Sequence, residues 1–169
     1  EYVTEIRFSE GSSLIGESAE EVNRITGDKL TLIRYIDEEG KARPLTQNNN
    51  IKVDDQFLAM ADPGDLKEMM DEYDLRLTKE MRYRIDSLKD GDTTFIEVVV
   101  SPESPLVGRG RSYLRRRSSN NLTLMAVARQ DKPIHKRLGK VQFRVGDVLL
   151  LQGREEEFKN NILSLDLLP

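Results

Sequence analysis

The chain reads as α+β: two homologous small domains, each ordered β-α-β-β-β-α, with helices packed on an antiparallel sheet. The sequence repeats itself, because Ser9-Glu10-Gly11-Ser12-Ser13-Leu14-Ile15-Gly16 returns 92 residues later as Ser101-Pro102-Glu103-Ser104-Pro105-Leu106-Val107-Gly108. The same spacing relates Leu30-Thr31-Leu32 to Leu122-Thr123-Leu124, and Val53 and Asp55 to Val145 and Asp147. A repeat that long exceeds the roughly 20–50 residues of a solenoid unit, so each copy is a folding unit of its own. Within each copy, short β-rich runs bounded by Ser, Gly, Pro and Asp turns alternate with two helical patterns. The copies span 1–77 and 93–169, and 78–92 is a linker.

Each copy opens with a strand, Val3-Thr4-Glu5-Ile6-Arg7-Phe8 and Phe95-Ile96-Glu97-Val98-Val99-Val100. The second lacks polar alternation and is expected to be the more deeply buried. A Ser/Gly/Pro turn follows and closes at Gly16 or Gly108, with Leu14-Ile15 and Leu106-Val107 plugging the core ahead of a short helix. In copy one, Ser18 and Glu21 have capping-box spacing, and Val22 and Ile25 supply the inward face. Copy two offers Tyr113 and Leu114 among arginines. Leu30–Ile36 and Leu122–Arg129 are apolar strands, each leading through a polar turn into a short hairpin partner near Arg43–Leu45 or Pro133–Lys136.

The last strands are Gln56–Met60 and Val148–Leu151. Each is entered by a tight turn whose Asp55 or Asp147 can accept from backbone amides. Closing helices are expected at Pro63–Met70, with Asp62 as cap, and at Arg154–Leu163 after Gly153. Between 72 and 92, helical spacing and strand alternation compete, and a short helix ending at Asp90-Gly91-Asp92 is the preferred reading.

Hydrophobic residues make up 37% of the chain and charged ones 33%, which suits a globular protein with a wet surface. No window approaches 18 uncharged apolar residues, so none spans a bilayer as a helix. The absence of cysteine excludes disulfides and thiolate chemistry and fits a reducing compartment. A start at Glu1-Tyr2-Val3, already within a strand and without methionine, reads as a fragment of something larger.

The net charge of −4 conceals a contrast. Residues 1–77 carry 9 basic and 18 acidic side chains, net −9, whereas 93–169 carry 13 and 8, net +5. Opposite fields favour association of the modules, within or between chains. The arginines at 109, 111, 115, 116 and 117 read first as a solvated helix face, with anionic lipid or nucleic acid as alternatives. Aromatics are only 6% of the chain and only Tyr113 lies among those arginines, so no nucleic-acid partner is expected.

Enzyme signatures are scarce, and no catalytic role is expected. The single histidine, His135, cannot supply a zinc set without cysteine. Ser12, Ser13 and Ser104 lie in turns without the setting that exposes a nucleophilic serine, so local bonding to the backbone is their expected role. Gly108-Arg109-Gly110 lacks the remainder of any phosphate-loop motif, and the acidic runs have no calcium-loop spacing.

The stretch Glu97–Gly108, then Leu122–Arg129, then Gly146-Asp147-Val148-Leu149-Leu150-Leu151-Gln152-Gly153, resembles the TrkA-C (RCK C-terminal) module. Its pattern is a strand, a Ser-Pro-Leu-Ile/Val-Gly turn, an apolar strand ending in Arg, and Gly-Asp-x-Leu-aliphatic-aliphatic-x-Gly. Copy one keeps Ser12–Gly16 but carries Asp37, Asp54 and Ala61 where copy two has Arg129, Gly146 and Gly153, and so looks like a diverged sister. Tandem copies are similar to the insert of bacterial permeases of the sodium/sulfate/dicarboxylate type, where the pair sits between membrane helices.

That resemblance implies a regulatory domain pair at the cytoplasmic face of the membrane, sensing a ligand and dimerising to bias an ion or anion transporter. Its implied partners are the transmembrane part of the same polypeptide and a second copy of the chain. No metal or resident cofactor is implied, but a small regulatory ligand is. In some relatives this is cyclic di-adenosine monophosphate, held near the arginine-bearing strand end and the following hairpin. Arg129 and Ile134 occupy those positions here, and copy one lacks the arginine. Two alternatives stand beside this: the C-terminal regulatory part of a potassium-transport regulator, and a structural dimerisation insert without ligand.

Overall fold

The computed structural model of the chain describes residues 1–47, 50–78, 93–130 and 134–169. It is α+β with antiparallel pairing, as the sequence predicts, and divides into two compact units. One comprises Glu1–Thr78 with His135–Arg137, the other Lys79–Ile134 with Leu138–Pro169. Apart from Thr78, the expected linker lies outside the described residues, as does the helix expected to end at 90–92.

The first unit runs β1 (Tyr2–Phe8), α1 (Ala19–Ile25), β2 (Thr31–Ile36), β3 (Ala42–Arg43), β4 (Gln56–Ala61), α2 (Pro63–Glu72) and β5 (Leu75–Leu77). Its strand order is β3-β2-β4-β1, with β5 also on β1, and all pairs are antiparallel. Alternate β1 residues Ile6 and Phe8 join Leu32, Phe57 and Ala59 in one core that also takes Val22 from α1 and Leu66 and Met69 from α2. Both helices therefore pack on the same apolar face. Phe8 meets the Phe57 ring edge-on at 5.5 Å, a favoured aromatic geometry.

The second unit runs β6 (Thr93–Val100), α3 (Arg111–Arg117), β7 (Thr123–Ala128), a 3₁₀ turn at Leu138–Lys140, β8 (Val148–Arg154), α4 (Glu155–Ser164) and β9 (Leu167–Leu168). Its strand order is β7-β8-β6-β9. The 92-residue offset persists at the level of single atoms. Ser9 and Ser101 donate to the carbonyls of Asp74 and Asp166, whose φ angles of 51° and 50° are both left-handed. The Leu14 and Leu106 amides donate to the Ser12 and Ser104 hydroxyls, each at 3.2 Å. Gly16 and Gly108 donate to the carbonyls of Ile51 and Phe143 from positive φ, a conformation that costs a side-chain-bearing residue about 1 kcal/mol. The bulge at Leu32/Arg34 recurs at Leu124/Ala126.

Several details differ from expectation. Each unit closes with a short strand, β5 or β9, after its second helix; Leu75 and Leu77 follow the alternation rather than the helical spacing. The hairpin strand expected at Pro133–Lys136 is not formed at Ile134–Lys136, and Pro133 lies outside the described residues. There the chain instead buries Ile134 and turns through Leu138–Lys140 to bury Leu138.

The expected burial order of the opening strands is reversed. β1 is buried throughout, whereas β6 exposes Phe95 and Glu97 and, among its described side chains, buries only Val98 and Val100 fully. Composition misled because β1 buries its polar residues in pairs: Glu5 accepts from Arg137, and Arg7 donates to Asp54. Ser18 caps α1 through the Glu21 amide, but the Glu21 carboxylate turns to Arg24 and does not complete the box. Asp62 precedes α2 without the side-chain cap expected of it; only its carbonyl accepts, from the Asp65 and Leu66 amides. The final helix begins at Glu155, with Arg154 still in β8.

Candidate functional site

Arg129 stands one residue past β7, and Asp147 one residue ahead of β8. Because these strands pair antiparallel with Ala128 opposite Val148, the two side chains arrive at the same end of the sheet. Arg129 Nε donates to Asp147 Oδ1 at 2.9 Å and Nη2 to Oδ2 at 2.8 Å; Nη2 also reaches the Gln142 carbonyl at 2.9 Å. Asp147 is 1% exposed and additionally accepts the Arg144 amide, which closes the Val145-Gly146-Asp147 turn. The Asp147 hydrogen bond holds the Arg129 guanidinium above its ordinary pKa, against the opposing effect of burial.

Arg129 thus has a structural partner that the sequence reading missed. Asp147 was expected to bind turn amides and does so; its second role follows from strand register, which local sequence does not reveal. Nη1 of Arg129 makes no hydrogen bond to a described residue and points the remaining edge of the fork away from Asp147. Ile134, the other candidate, is 6% exposed and contributes to the interior. In the first unit Asp37 replaces the arginine and turns to its own hairpin, accepting from the Glu39 and Lys41 amides and from Arg43 Nε.

A second feature of the second unit is the arginine face around Tyr113. The guanidinium carbons of Arg109, Arg117 and Arg116 lie 4.7, 5.7 and 6.0 Å from the Tyr113 ring centroid, and Arg117 Nη1 donates to the phenol oxygen. Each such cation–π contact at an exposed site contributes about 0.5–1 kcal/mol. Arg111, by contrast, is buried beside Gly139.

Ser12 and Ser104 show the local bonding expected of them, accepting the Leu14 and Leu106 amides, and Ser104 also donates to the distant Leu165 carbonyl. His135 lies beside Arg34, with Nδ1 2.9 Å from a guanidinium nitrogen. Among the described residues no three His, Cys, Asp or Glu side chains gather as a metal site. No helix among them is long and apolar enough to cross a membrane.

No protein-family model matches the chain, and no solved structure does. It is similar to an uncharacterized transporter of Synechocystis sp., with 27% identity over 164 residues. The match takes in 94% of this chain but only 27% of that protein, so the chain spans about a quarter of the relative's length.

Proposed function

We propose that the chain is the cytoplasmic regulatory part of a membrane transporter: a tandem pair of TrkA-C-type modules that senses a small ligand and dimerises, and does not catalyse a reaction. The observation that carries this is the similarity of nearly the whole chain to about a quarter of a transporter. A segment of that share, built as two sister α+β units, is suited to bias a transport machinery rather than to form one. Ligand binding would favour one packing of the modules, and the membrane part would respond only through its differential affinity for the two states. The Nη1 edge of Arg129, which bonds no described residue, is the candidate anchor for an anionic ligand such as a cyclic dinucleotide.

The full-length reading frame tests the transporter assignment. Apolar spans of about 20 residues on both sides of these 169 are expected, and a frame without any would overturn it. Calorimetry of the chain against cyclic di-adenosine monophosphate and mononucleotides tests the sensing role. Saturable heat with one of them supports it; silence from all, with a stable dimer, would make the pair a structural insert instead.

A further inference from the structure

We propose that the arginine face of α3, Arg109, Arg116 and Arg117 around Tyr113, is a docking surface for the anionic headgroups of the membrane. For the presence of a membrane beside the module, this rests on the transporter reading above.

All three arginines are exposed, and neither they nor Arg115 is ion-paired to a described residue. Three guanidiniums within 6.0 Å of one ring repel one another, and the ring face offsets only part of that. The fold does not require them. Arg116 and Arg117 sit in the last turn of α3, where a helix dipole favours cations, but Arg109 precedes the N-cap Gly110, where it disfavours them.

The sister helix α1 provides an internal control. Built at the same position in the repeat, it keeps Arg24 where Arg116 stands, paired there with Glu21. It has Glu17 where Arg109 stands, Glu21 where Tyr113 stands and Ile25 where Arg117 stands, and it forms a helix of the same length. Arginine clustering is therefore a property of the second unit's surface and not of its architecture.

The chemistry selects phosphate esters at a membrane surface. Guanidinium is weakly hydrated and engages two phosphate oxygens at once, and a tyrosine held among arginines suits the headgroup layer, where a ring can be half immersed. A second copy's acidic unit is the competing occupant. Seven of its 18 acidic side chains are ion-paired (Glu5, Glu21, Asp37, Glu39, Asp54, Glu68 and Asp74), and the rest pair with no described residue. The phosphate chemistry favours the headgroup, and the dimer outcome of the test separates the two. With one aromatic among the arginines, extended stacking contact with nucleic acid is disfavoured as well.

The test is co-sedimentation of the 169-residue chain with vesicles of phosphatidylcholine alone and of phosphatidylcholine containing about one-third phosphatidylglycerol. Binding to the anionic vesicles only, weakening as salt rises, is expected. The R109Q/R116Q/R117Q variant should lose on the order of 100-fold in partition while keeping its circular dichroism and melting temperature. Equal partition of variant and parent, or no partition of the parent into anionic vesicles at low salt, would overturn the proposal. So would a salt-labile dimer or nucleic-acid complex that the same variant abolishes while vesicles bind neither protein. Only the isolated chain is used, so failure here leaves the transporter assignment to its flanking sequence. Conversely, a flanking sequence without membrane spans would not erase a measured lipid affinity.

Discussion

Asp147 grips Arg129 with both carboxylate oxygens and at the same time closes its own turn through the Arg144 amide. One buried side chain therefore ties the end of β7 to the start of β8. Asp147→Ala should destabilise the second unit by about 2–4 kcal/mol, because it leaves a partly buried guanidinium and a turn amide without an acceptor. Arg129→Met should cost a similar amount, by stranding a carboxylate that is 1% exposed. Urea unfolding of both variants and of the double variant checks this. A double variant no worse than either single one would place the cost in the unpaired charge and not in the pair's own worth.

The hairpin of the first unit makes a pH prediction. The Arg43 side chain, then the Lys41 amide, hold the Asp37 carboxyl below the ordinary aspartate pKa. For a lowered folded-state pKa, the stabilisation is fully present above the unfolded value and is lost as pH falls through the folded one. The Asp37 carboxyl carbon should therefore titrate below ordinary aspartates by NMR. In Arg43→Gln its midpoint should rise, as the largest cause of the shift is removed. Because Asp37 is held from the surface, overall stability should barely change between the two proteins near neutral pH.

Ser104 donates to the Leu165 carbonyl at 2.6 Å and accepts the Leu106 amide at 3.2 Å, linking the turn after β6 to the end of α4. Ser104→Ala should cost about 1–3 kcal/mol, because both backbone groups lie where water cannot replace the hydroxyl. Thermal melts would register this as a lower midpoint. A variant that melts like the parent would remove the structural role and reopen the question of why a buried serine stands there.

What could be read in advance follows from where the physical information resides. Helix α1 was legible because Ser18, Val22 and Ile25 carry its start and inward face within a single turn or two. Helix α3 carried only Tyr113 and Leu114 among arginines, yet it forms over the residues equivalent to α1, since the repeat imposes the same turn at Gly108 and the same core behind it. The short strands β5 and β9 exist through pairing with β1 and β6; the alternation of Leu75 with Leu77 pointed to the first only in competition with helical spacing, and the two residues of β9 carry no pattern of their own. For the same reason, burial of Glu5 and Arg7 was invisible in a strand that otherwise alternates. Arg129 was legible as a strand-end arginine; its partner across the sheet was not.

The divergence of the first copy contains a compensated exchange. Where the second unit has Val99 and Gly146, the first has Arg7 and Asp54, and these two form an ion pair at 2.5 Å. Asp54 takes the left-handed conformation of Gly146, with φ of 69° against 90°, and so carries a backbone cost of about 1 kcal/mol that glycine would avoid. Arg7 in turn is 8% exposed, and its Nε has no hydrogen-bond partner. Each residue alone is unfavourable; together the carboxylate answers the buried charge. Asp54→Gly should therefore destabilise despite relieving the backbone, by about 1–3 kcal/mol, since it strands the guanidinium. Arg7→Val should be milder, because the exposed Asp54 carboxylate returns to water. The double variant Arg7→Val/Asp54→Gly, which restores the second unit's residues, should be at least as stable as the parent. A coupling energy of about 1 kcal/mol or more from the four-protein unfolding cycle would establish the exchange as a linked pair. Strict additivity would mean that the two positions changed independently.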